Sequence, residues 1–483
     1  MSSERRNNRP RTLSVTGLAL ALGLGFGLAG CADPGAANGS GVSTATAASS
    51  QHSAVALPET ALGEQAGWVI SAVNGEVDGD ALTTGITSRF AQPVLDQLGA
   101  DGLTEVFSQL GAQGPWVPTA VQEGGTQAVV TITSPGGDSL DLQIALDTDE
   151  KIAGLLFTPS AGDRTPATSW GELEDAVEGF ASDTRLVVTE VEPAGAAQPA
   201  GTPLLAAGHD AAEAMPSGSM FKLYVLGAVA DAVTAGTLAW DQPLTVTDDV
   251  KSLPSGELQN SPSGSTVTVR EAAEKMISIS DNTATDLLIS AVGPEAVQRQ
   301  FSVMGQNDPA INVPLLTTRA LFQLGWGTGE SEAAGRAAWA DADSAGRQAI
   351  LNTLPTGLVD VAVQDVATPV WQSGLDWFTT ADDLTAAHLA LQQKALDPAA
   401  APVRDILAIN SGLGETFGDD WSYVAFKGGS SIGVLAGSWY LERADGRTFT
   451  VSIQGESADP AALADQATFF GQVQDAVALL EKE

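Results

Sequence analysis

The hydrophobic and polar positions divide the chain into two parts with different patterns. In the first part, apolar residues recur at helical spacing in 62–74 and 81–98, and four short apolar runs then follow between glycines and prolines. Apolar intervals of three and four residues predict helices, whereas short runs bounded by Gly and Pro predict strands. We therefore expect helices followed by a small antiparallel sheet with strands at 117–122, 127–133, 139–146 and 152–157.

The second part has strands at both ends and helices between them. After a helix at 170–181, strand patterns at 186–192 and 203–208 precede an apolar helix at 223–233 and a shorter helix at 283–289. The final strands are expected at 423–426, 434–442 and 448–454, the last two joined by Asp445-Gly446, a favoured hairpin pair. An amphipathic helix with Leu463, Phe470, Val473, Val477 and Leu480 on one face then covers the sheet. This order predicts one sheet built from both chain ends, with a helical lobe inserted between them.

These patterns predict an α+β protein of two folded domains, at 59–160 and 165–483. The 483 residues leave room for an export signal and a linker as well, since domains average about 150 residues. Hydrophobic residues make up 43% and charged residues 17%, so large cores can form. A net charge of −37 excludes a basic nucleic-acid-binding protein and disfavours membrane attachment through charge.

The amino terminus resembles a bacterial lipoprotein signal. Four arginines precede the apolar run 13–27, which ends in Leu28-Ala29-Gly30-Cys31. The resemblance implies cleavage after Gly30, lipidation of Cys31 and anchoring to the outer face of the cytoplasmic membrane. An uncleaved membrane-anchoring helix is the alternative, because the apolar stretch is nearly long enough to span a bilayer. We predict a signal at 1–30 and a flexible Ala-, Ser-, Thr- and Gly-rich tether at 31–58.

The first candidate catalytic motif is Ser219-Met-Phe-Lys222 at the start of the apolar helix. A three-residue step places Ser219 and Lys222 on one helix face, one turn apart. A lysine desolvated by apolar neighbours can lose its proton and act as a base toward a serine nucleophile. The motif is common, however, and alone it equally fits an N-cap serine beside a solvated lysine.

Two further motifs follow in order. Ser280-Asp281-Asn282 offers a hydroxyl for proton relay and an amide that can orient a substrate, although a helix cap explains Asp281 equally well. Lys427-Gly-Gly429-Ser430 follows a strand, where a lysine could bind a substrate carboxylate and glycines allow close backbone approach. A hairpin or bulge is the structural alternative for the two glycines.

The order Ser-x-x-Lys, Ser-Asp-Asn, Lys-x-Gly is typical of penicilloyl serine transferases. The second part of the chain resembles a class A β-lactamase domain, with Ser219 as nucleophile, Lys222 as base and Ser280 as proton relay. Substrate-binding positions would be Asn282, Lys427, Gly429 and Ser430. The resemblance further implies an oxyanion hole formed by the backbone N–H groups of Ser219 and Ser430.

Two features depart from that family. No Glu-x-x-Leu-Asn segment, which would activate the deacylating water, stands between Ser280 and Lys427, and Glu295, Glu330 and Glu332 lack its context. Gly428 stands where Thr or Ser is common, so one hydroxyl contact to a substrate carboxylate is missing. We therefore expect slow deacylation and altered substrate binding.

The domain arrangement also resembles clavulanic-acid-cluster hydrolases and related actinobacterial lipoproteins, which carry a steroid-isomerase-like (NTF2-like) first domain. Isomerase residues cannot be placed in 59–160, so a spacer or docking role is the alternative there.

We expect an exported serine hydrolase acting on a β-lactam, ester or peptide-like acyl donor. A D-Ala-D-Ala carboxypeptidase or penicillin sensor, and a non-catalytic envelope-binding module, are the alternatives. The three histidines suggest no metal site, and we expect no cofactor.

Overall fold

The computed structural model describes the chain from residue 54 onward, with short gaps. The described residues are 54–111, 114–124, 126–135, 139–147, 149–160, 164–180, 183–193, 201–362, 365–413, 416–463 and 465–483. The predicted signal, Cys31 and nearly all of the predicted tether lie outside them. No helix among the described residues is long and apolar enough to cross a membrane.

The first domain consists of helices followed by a four-stranded antiparallel sheet, and the third helical segment is interrupted at Gly99 (φ 65°, ψ 173°). The sheet has the sequential strand order β1-β2-β3-β4 expected of consecutive hairpins. Its elements are α1 (Ala61–Val73), α2 (Gly79–Arg89), α3 (Gln92–Gly111), β1 (Val117–Gly124), β2 (Gln127–Thr133), β3 (Ser139–Leu146) and β4 (Ile152–Pro159). Large apolar side chains, including Phe90, Phe107 and Trp116, fill the space between helices and sheet.

One helix prediction in this domain is wrong. The helix expected at 81–98 is two helices, because the chain becomes extended at Phe90 (φ −89°, ψ 145°) before α3 begins at Gln92. Pro93 has no N–H to continue a preceding helix and is tolerated only in a first turn. Phe90, fully buried, instead pairs with Ile152 of β4. The break therefore attaches the helices to the edge of the sheet.

The second domain is built on a five-stranded antiparallel sheet from both chain ends, in the order β11-β12-β13-β5-β6. This confirms the predicted α+β class. Its strands are β5 (Asp183–Val191), β6 (Gly201–Gly208), β11 (Trp421–Ser431), β12 (Val434–Arg443) and β13 (Thr448–Glu456). One face packs on α4 (Trp170–Glu178) and α14 (Gln466–Leu480) through a core that includes Leu173, Val188 and Val473.

The helical lobe covers the other face of the sheet. The apolar helix α5 (Lys222–Thr234) lies at its centre, and Leu223 to Ala230 are all buried. The remaining elements are β7 (Met215–Pro216), β8 (Pro243–Thr245), β9 (Thr266–Thr268), α6 (Val269–Ser278), α7 (Asn282–Val292), α8 (Pro294–Val303), α9 (Thr318–Trp326), α10 (Glu330–Trp339), α11 (Ser344–Leu351), β10 (Phe378–Thr379), α12 (Ala381–Lys394) and α13 (Pro402–Leu407). The lobe predicted between the two groups of strands is thus largely helical.

A paired arginine joins the segment between the domains to the last helix. Arg164 donates to both carboxylate oxygens of Asp475 on α14, and the Ala167 N–H donates to the same carboxylate at 2.9 Å. Asp475 is buried, so this bidentate pair is shielded from solvent. Since α14 also contacts β4, the first domain lies on the side of the sheet opposite the helical lobe.

Candidate active site

Ser219 lies in a single 3-10 turn (Gly218–Phe221) that leads directly into α5. Met220 and Phe221 are fully buried, and Phe221 stacks on Trp377 with ring centroids 3.8 Å apart. Ser219 itself is partly exposed, and its hydroxyl makes no side-chain hydrogen bond with the described residues. The turn is therefore fixed by its apolar neighbours, while Ser219 keeps part of its surface exposed.

Lys222, one turn further along, is fully buried. Its Nζ donates to the Ser280 carbonyl at 2.5 Å, the Ser280 Oγ at 3.0 Å and the Asn282 Oδ1 at 2.7 Å. These contacts reach across to the residues before and at the start of α7. The structure thus brings the first two sequence motifs together, with Lys222 hydrogen-bonded to Ser280 and Asn282 rather than to Ser219.

Ser280 occupies an unusual backbone conformation at the turn between α6 and α7. Its φ of 56° lies in the left-handed region, which costs about 1–3 kcal/mol for a non-glycine residue. Its carbonyl accepts from Lys222 and from the Ser255 Oγ at 2.8 Å. Asp281 caps α7 through the Ala284 N–H and also accepts from the Glu257 and Leu258 N–H groups. These bonds fix the backbone of the turn that carries the Ser280 hydroxyl.

Lys427 completes the group from the edge strand β11. The motif lies at the end of this strand as predicted, but β11 extends beyond the predicted bound at 426 and reaches Ser431, so it contains Lys427, Gly429 and Ser430. Lys427 is buried, and its Nζ donates to the Ser280 Oγ at 3.1 Å and to the Gly428 carbonyl at 2.7 Å. The Ser280 hydroxyl therefore lies between two buried amines.

Burial dominates the electrostatics of both lysines. Loss of solvation lowers the pKa of Lys222 well below its ordinary value, and the nearby Lys427 ammonium lowers it further. Burial lowers the pKa of Lys427 to about 7. Two ammonium groups that share one hydroxyl repel each other, so the state with Lys222 neutral is favoured. The described residues contain no group of three His, Cys, Asp or Glu side chains placed to hold a metal ion.

The β11 edge lies directly against the turn that carries Ser219. A Cβ added to Gly429 would lie 2.0 Å from the Ser217 carbonyl oxygen and 3.1 Å from the Ser219 nitrogen. A Cβ on Gly218, whose φ is +52°, would lie 2.7 Å from the Ser430 nitrogen. Only glycine fits at these two positions, and their small size allows the Ser219 and Ser430 nitrogens to approach one another.

The segment that follows the Ser-Asp-Asn motif brings a threonine, rather than a glutamate, to the start of α7. Thr318 donates from its Oγ1 to the Asn282 carbonyl at 3.2 Å and to the Ser252 Oγ at 2.8 Å. The buried carboxylate of Asp286 accepts from the Thr318 and Arg319 N–H groups, both at 2.9 Å, which fixes this segment on α7. Within the described chain, the Asp286 carboxylate makes no hydrogen bond to Ser219, Lys222 or Ser280, so it is held by this segment rather than by the proposed catalytic groups.

The three glutamates that lacked sequence context lie on helices of the lobe. Glu295 is in the first turn of α8, and Glu330 and Glu332 are in the first turn of α10. Glu332 folds back toward Gly329 and accepts from the Ser331 Oγ. None of these three carboxylates hydrogen-bonds to any of the predicted site residues within the described chain. Two buried carboxylates that contact the site segments, Asp286 and Asp376, were not predicted from the sequence because no motif marks them. The helix cap that was the structural alternative for Asp281 is present.

Comparison with protein families gives two matches. Residues 196–478 match the β-lactamase enzyme family, and residues 57–152 match the family described as the ORF 12 gene product N-terminal domain. The first match covers more than half of the chain and all of the site described above. The second coincides with the helices and sheet of the first domain. No curated protein matches the chain.

Solved structures of similar fold have low sequence identity. A penicillin G acyl-enzyme complex of a PBP-A variant is 17% identical, covering 65% of this chain and 96% of that chain, with a TM-score of 0.44. A β-lactamase from Sphaerobacter thermophilus is 20% identical, covering 64% and 94%, with a TM-score of 0.44. A class A β-lactamase from Mycobacterium abscessus is 16% identical, covering 65% and 98%, with a TM-score of 0.43.

Proposed function

The chain belongs to the β-lactamase enzyme family and is a β-lactamase-like serine hydrolase, and from this premise we propose that it acts through an acyl-Ser219 intermediate that is released slowly. One observation carries the proposal. The Ser280 hydroxyl lies 3.0 Å from the Lys222 Nζ and 3.1 Å from the Lys427 Nζ, and both amines are buried. Burying two amines around one hydroxyl is costly for a fold, and it suits proton transfer.

In the proposed acylation, Lys222 has lost one proton, which gives up one of its three N–H···O contacts and frees a lone pair, and it takes the Ser219 hydroxyl proton as the oxygen attacks the acyl carbon. The carbonyl electron pair moves to oxygen, where the Ser219 and Ser430 N–H groups stabilise the charge. When the tetrahedral intermediate collapses, the bond to the leaving group breaks, and the proton passes from Lys222 through the Ser280 hydroxyl to that group. The N–H···O contact of Lys222 with Ser280 supplies this route, and Asn282 and Lys427 bind the substrate.

Slow release follows from the groups around Thr318. Hydrolysis of the acyl-enzyme requires a base for the incoming water. Asp286, the carboxylate on α7, accepts two backbone N–H groups and, within the described chain, makes no hydrogen bond to Ser219, Lys222 or Ser280. In this proposal Lys222 is therefore the base in both half-reactions. We propose a β-lactam, an ester or a peptide-like acyl donor as the substrate class.

Incubation of the purified protein with a fluorescent penicillin and with a chromogenic cephalosporin tests this proposal. We expect a covalent label that persists for minutes or longer, together with slow cephalosporin turnover. Fast turnover without a persistent label would indicate an efficient β-lactamase. A stable label without turnover would favour the carboxypeptidase or penicillin-sensor alternative, and neither signal would favour a binding module.

We also propose that the protein is exported and anchored by a lipid on Cys31, with the hydrolase domain facing a cell-wall or small-molecule substrate. The Leu28-Ala29-Gly30-Cys31 sequence after an apolar run supports this location. Incorporation of labelled palmitate into the full chain, and its loss in Cys31→Ala, would support it. Equal labelling of the variant would contradict it.

A further inference from the structure

A buried carboxylate links the turn of the nucleophile to the end of the edge strand. Asp376 lies just before β10 and is 5% exposed. Its Oδ1 accepts from the N–H groups of Gly218 at 2.8 Å, Trp377 at 2.8 Å and Ser217 at 3.3 Å. Its Oδ2 accepts from the Ser431 Oγ at 2.6 Å. Four donors from three segments therefore meet at one side chain.

The two outer segments are those that supply the proposed oxyanion-binding groups. Gly218 immediately precedes Ser219, and Ser431 immediately follows Ser430. The Ser219 and Ser430 N–H groups belong to parts of the chain that are far apart in sequence, so their separation depends on noncovalent contacts. Asp376 binds Gly218, the residue before one of these amides, and Ser431, the residue after the other. It thus links the two segments.

Packing keeps the turn that carries Ser219 apart from the strand β11, whereas hydrogen bonding holds the two together. The contact of Gly218 with the Ser430 backbone is so close that no larger residue fits, and it limits how near the turn and strand can come. Asp376 supplies the attraction that keeps them together. The adjacent Trp377 adds a second attachment, since its carbonyl accepts from the Ser217 N–H and Oγ, both at 2.8 Å. Burial raises the pKa of Asp376, while its four hydrogen bonds oppose that effect.

We propose that Asp376 is a positioning residue for the oxyanion pocket, fixing the separation of the Ser219 and Ser430 N–H groups by binding Gly218 and Ser431. This role rests on the proposed acyl-Ser219 chemistry. Removal of one oxyanion-hole donor typically costs about 10²- to 10³-fold in rate. A donor that is displaced but still present should lower the rate by less than a donor that is removed. We therefore expect acylation in Asp376→Asn to be about 10- to 100-fold slower than in the wild type.

The test measures the acylation rate constant with fluorescent penicillin and the affinity for a boronic acid that forms a tetrahedral adduct. In Asp376→Asn both should fall in parallel, whereas noncovalent binding of the penicillin should change by less than about threefold. Ser431→Ala removes one of the four hydrogen bonds and should give a smaller loss of the same kind. Ser431→Thr keeps the hydroxyl and should restore acylation to within about twofold.

Asp383→Asn is the matched control. Asp383 is also a buried carboxylate that accepts backbone N–H bonds, from Thr380 at 2.8 Å and Asn307 at 2.6 Å, but it does not bind the Ser219 turn or β11. All rates are taken per folded molecule, with the folded fraction measured by circular dichroism. We expect this control to lose stability without loss of acylation or boronate affinity.

Three results would overturn the proposal. Wild-type acylation in both Asp376→Asn and Ser431→Ala would show that the carboxylate does not position the amides. Equal losses in Asp376→Asn and Asp383→Asn would assign Asp376 a purely structural role. If Asp376→Asn does not fold, the acylation rate of Ser431→Ala decides. A loss relative to the wild type supports the proposal, and a wild-type rate overturns it. Failure of the wild-type protein to form any adduct would instead remove the proposed function, and the positioning role with it.

Discussion

The two domains bury polar side chains in different ways. In the described part of the first domain, the buried polar residues are Thr133, Ser134 and Gln143, none of which is ionisable. In the second domain, Lys222, Lys427, Asp281 and Asp376 are all buried near the predicted site residues, and Asp383 and Asp475 are buried elsewhere. An ionisable group is buried at a cost of several kcal/mol unless hydrogen bonds or partners offset it. The described core of the first domain therefore buries only uncharged polar groups, whereas the second domain buries ionisable groups, several of them at the predicted site.

Lys222→Ala, which removes one of the buried amines of the second domain, should cause the largest loss of acylation. The variant removes the proposed base, and loss of general-base catalysis costs about 10²- to 10⁴-fold, so acylation by fluorescent penicillin should fall in that range. Lys394→Ala, which removes an ion pair with Asp231 on the lobe surface, is the control and should acylate normally. Rapid labelling of Lys222→Ala would show that another group accepts the Ser219 proton.

The pH dependence of substrate binding should report the charge on Lys427, the second buried amine. Because the pKa of Lys427 is about 7, its ammonium is present below that pH and lost above it. We expect KM for a donor that carries a carboxylate to rise up to about tenfold per pH unit above 7. A neutral ester should lack this rise, and Lys427→Arg, which stays charged, should move it to higher pH. An identical profile for both donors would exclude a role for Lys427 in carboxylate binding.

The smallest effect on acylation is expected from a core substitution in the first domain. Trp116 is 1% exposed, and Trp116→Ala should cost about 3–5 kcal/mol of that domain's stability. Acylation should nevertheless stay within about twofold of wild type. Trp439→Ala is the counterpart in the second domain, where Trp439 is buried and its ring lies 4.8 Å from that of Phe426, next to Lys427. It should lower both stability and acylation.

A loss of acylation in Trp116→Ala as large as that in Trp439→Ala would contradict the division of roles. Thermal unfolding followed by circular dichroism measures the stability, and the rate of penicillin labelling measures the chemistry. With both readouts, a domain that only spaces or docks the enzyme can be distinguished from one that takes part in catalysis.

Local sequence signals predicted much of the fold. Strands β2 and β3 lie at the predicted residues, and Asp445-Gly446 joins β12 to β13 as a hairpin. Hydrophobic periodicity and turn-forming residues depend only on short segments of the chain, so these elements could be predicted directly from the sequence. Pro93 is a local signal for the break near Phe90, but the apolar periodicity continues on both sides, and the pairing of Phe90 with Ile152 is a long-range contact that the sequence does not reveal.

The candidate site was predictable only where residues cluster in motifs. Ser219, Lys222, Ser280, Asn282 and Lys427 belong to three short patterns, and the structure places four of them in one hydrogen-bonded group with Ser219 one turn from Lys222. Asp376 has no such pattern. Its partners are 158 residues before it and 55 residues after it, so only the folded chain reveals the contact.

The most direct measurement is the site of covalent attachment after exposure to penicillin. Intact-mass analysis of the wild-type protein should show one added penicillin, and peptide mapping should place it on Ser219, with no adduct in Ser219→Ala. An adduct of equal yield in Ser219→Ala, or attachment at a different residue, would contradict the assignment of Ser219 as the nucleophile.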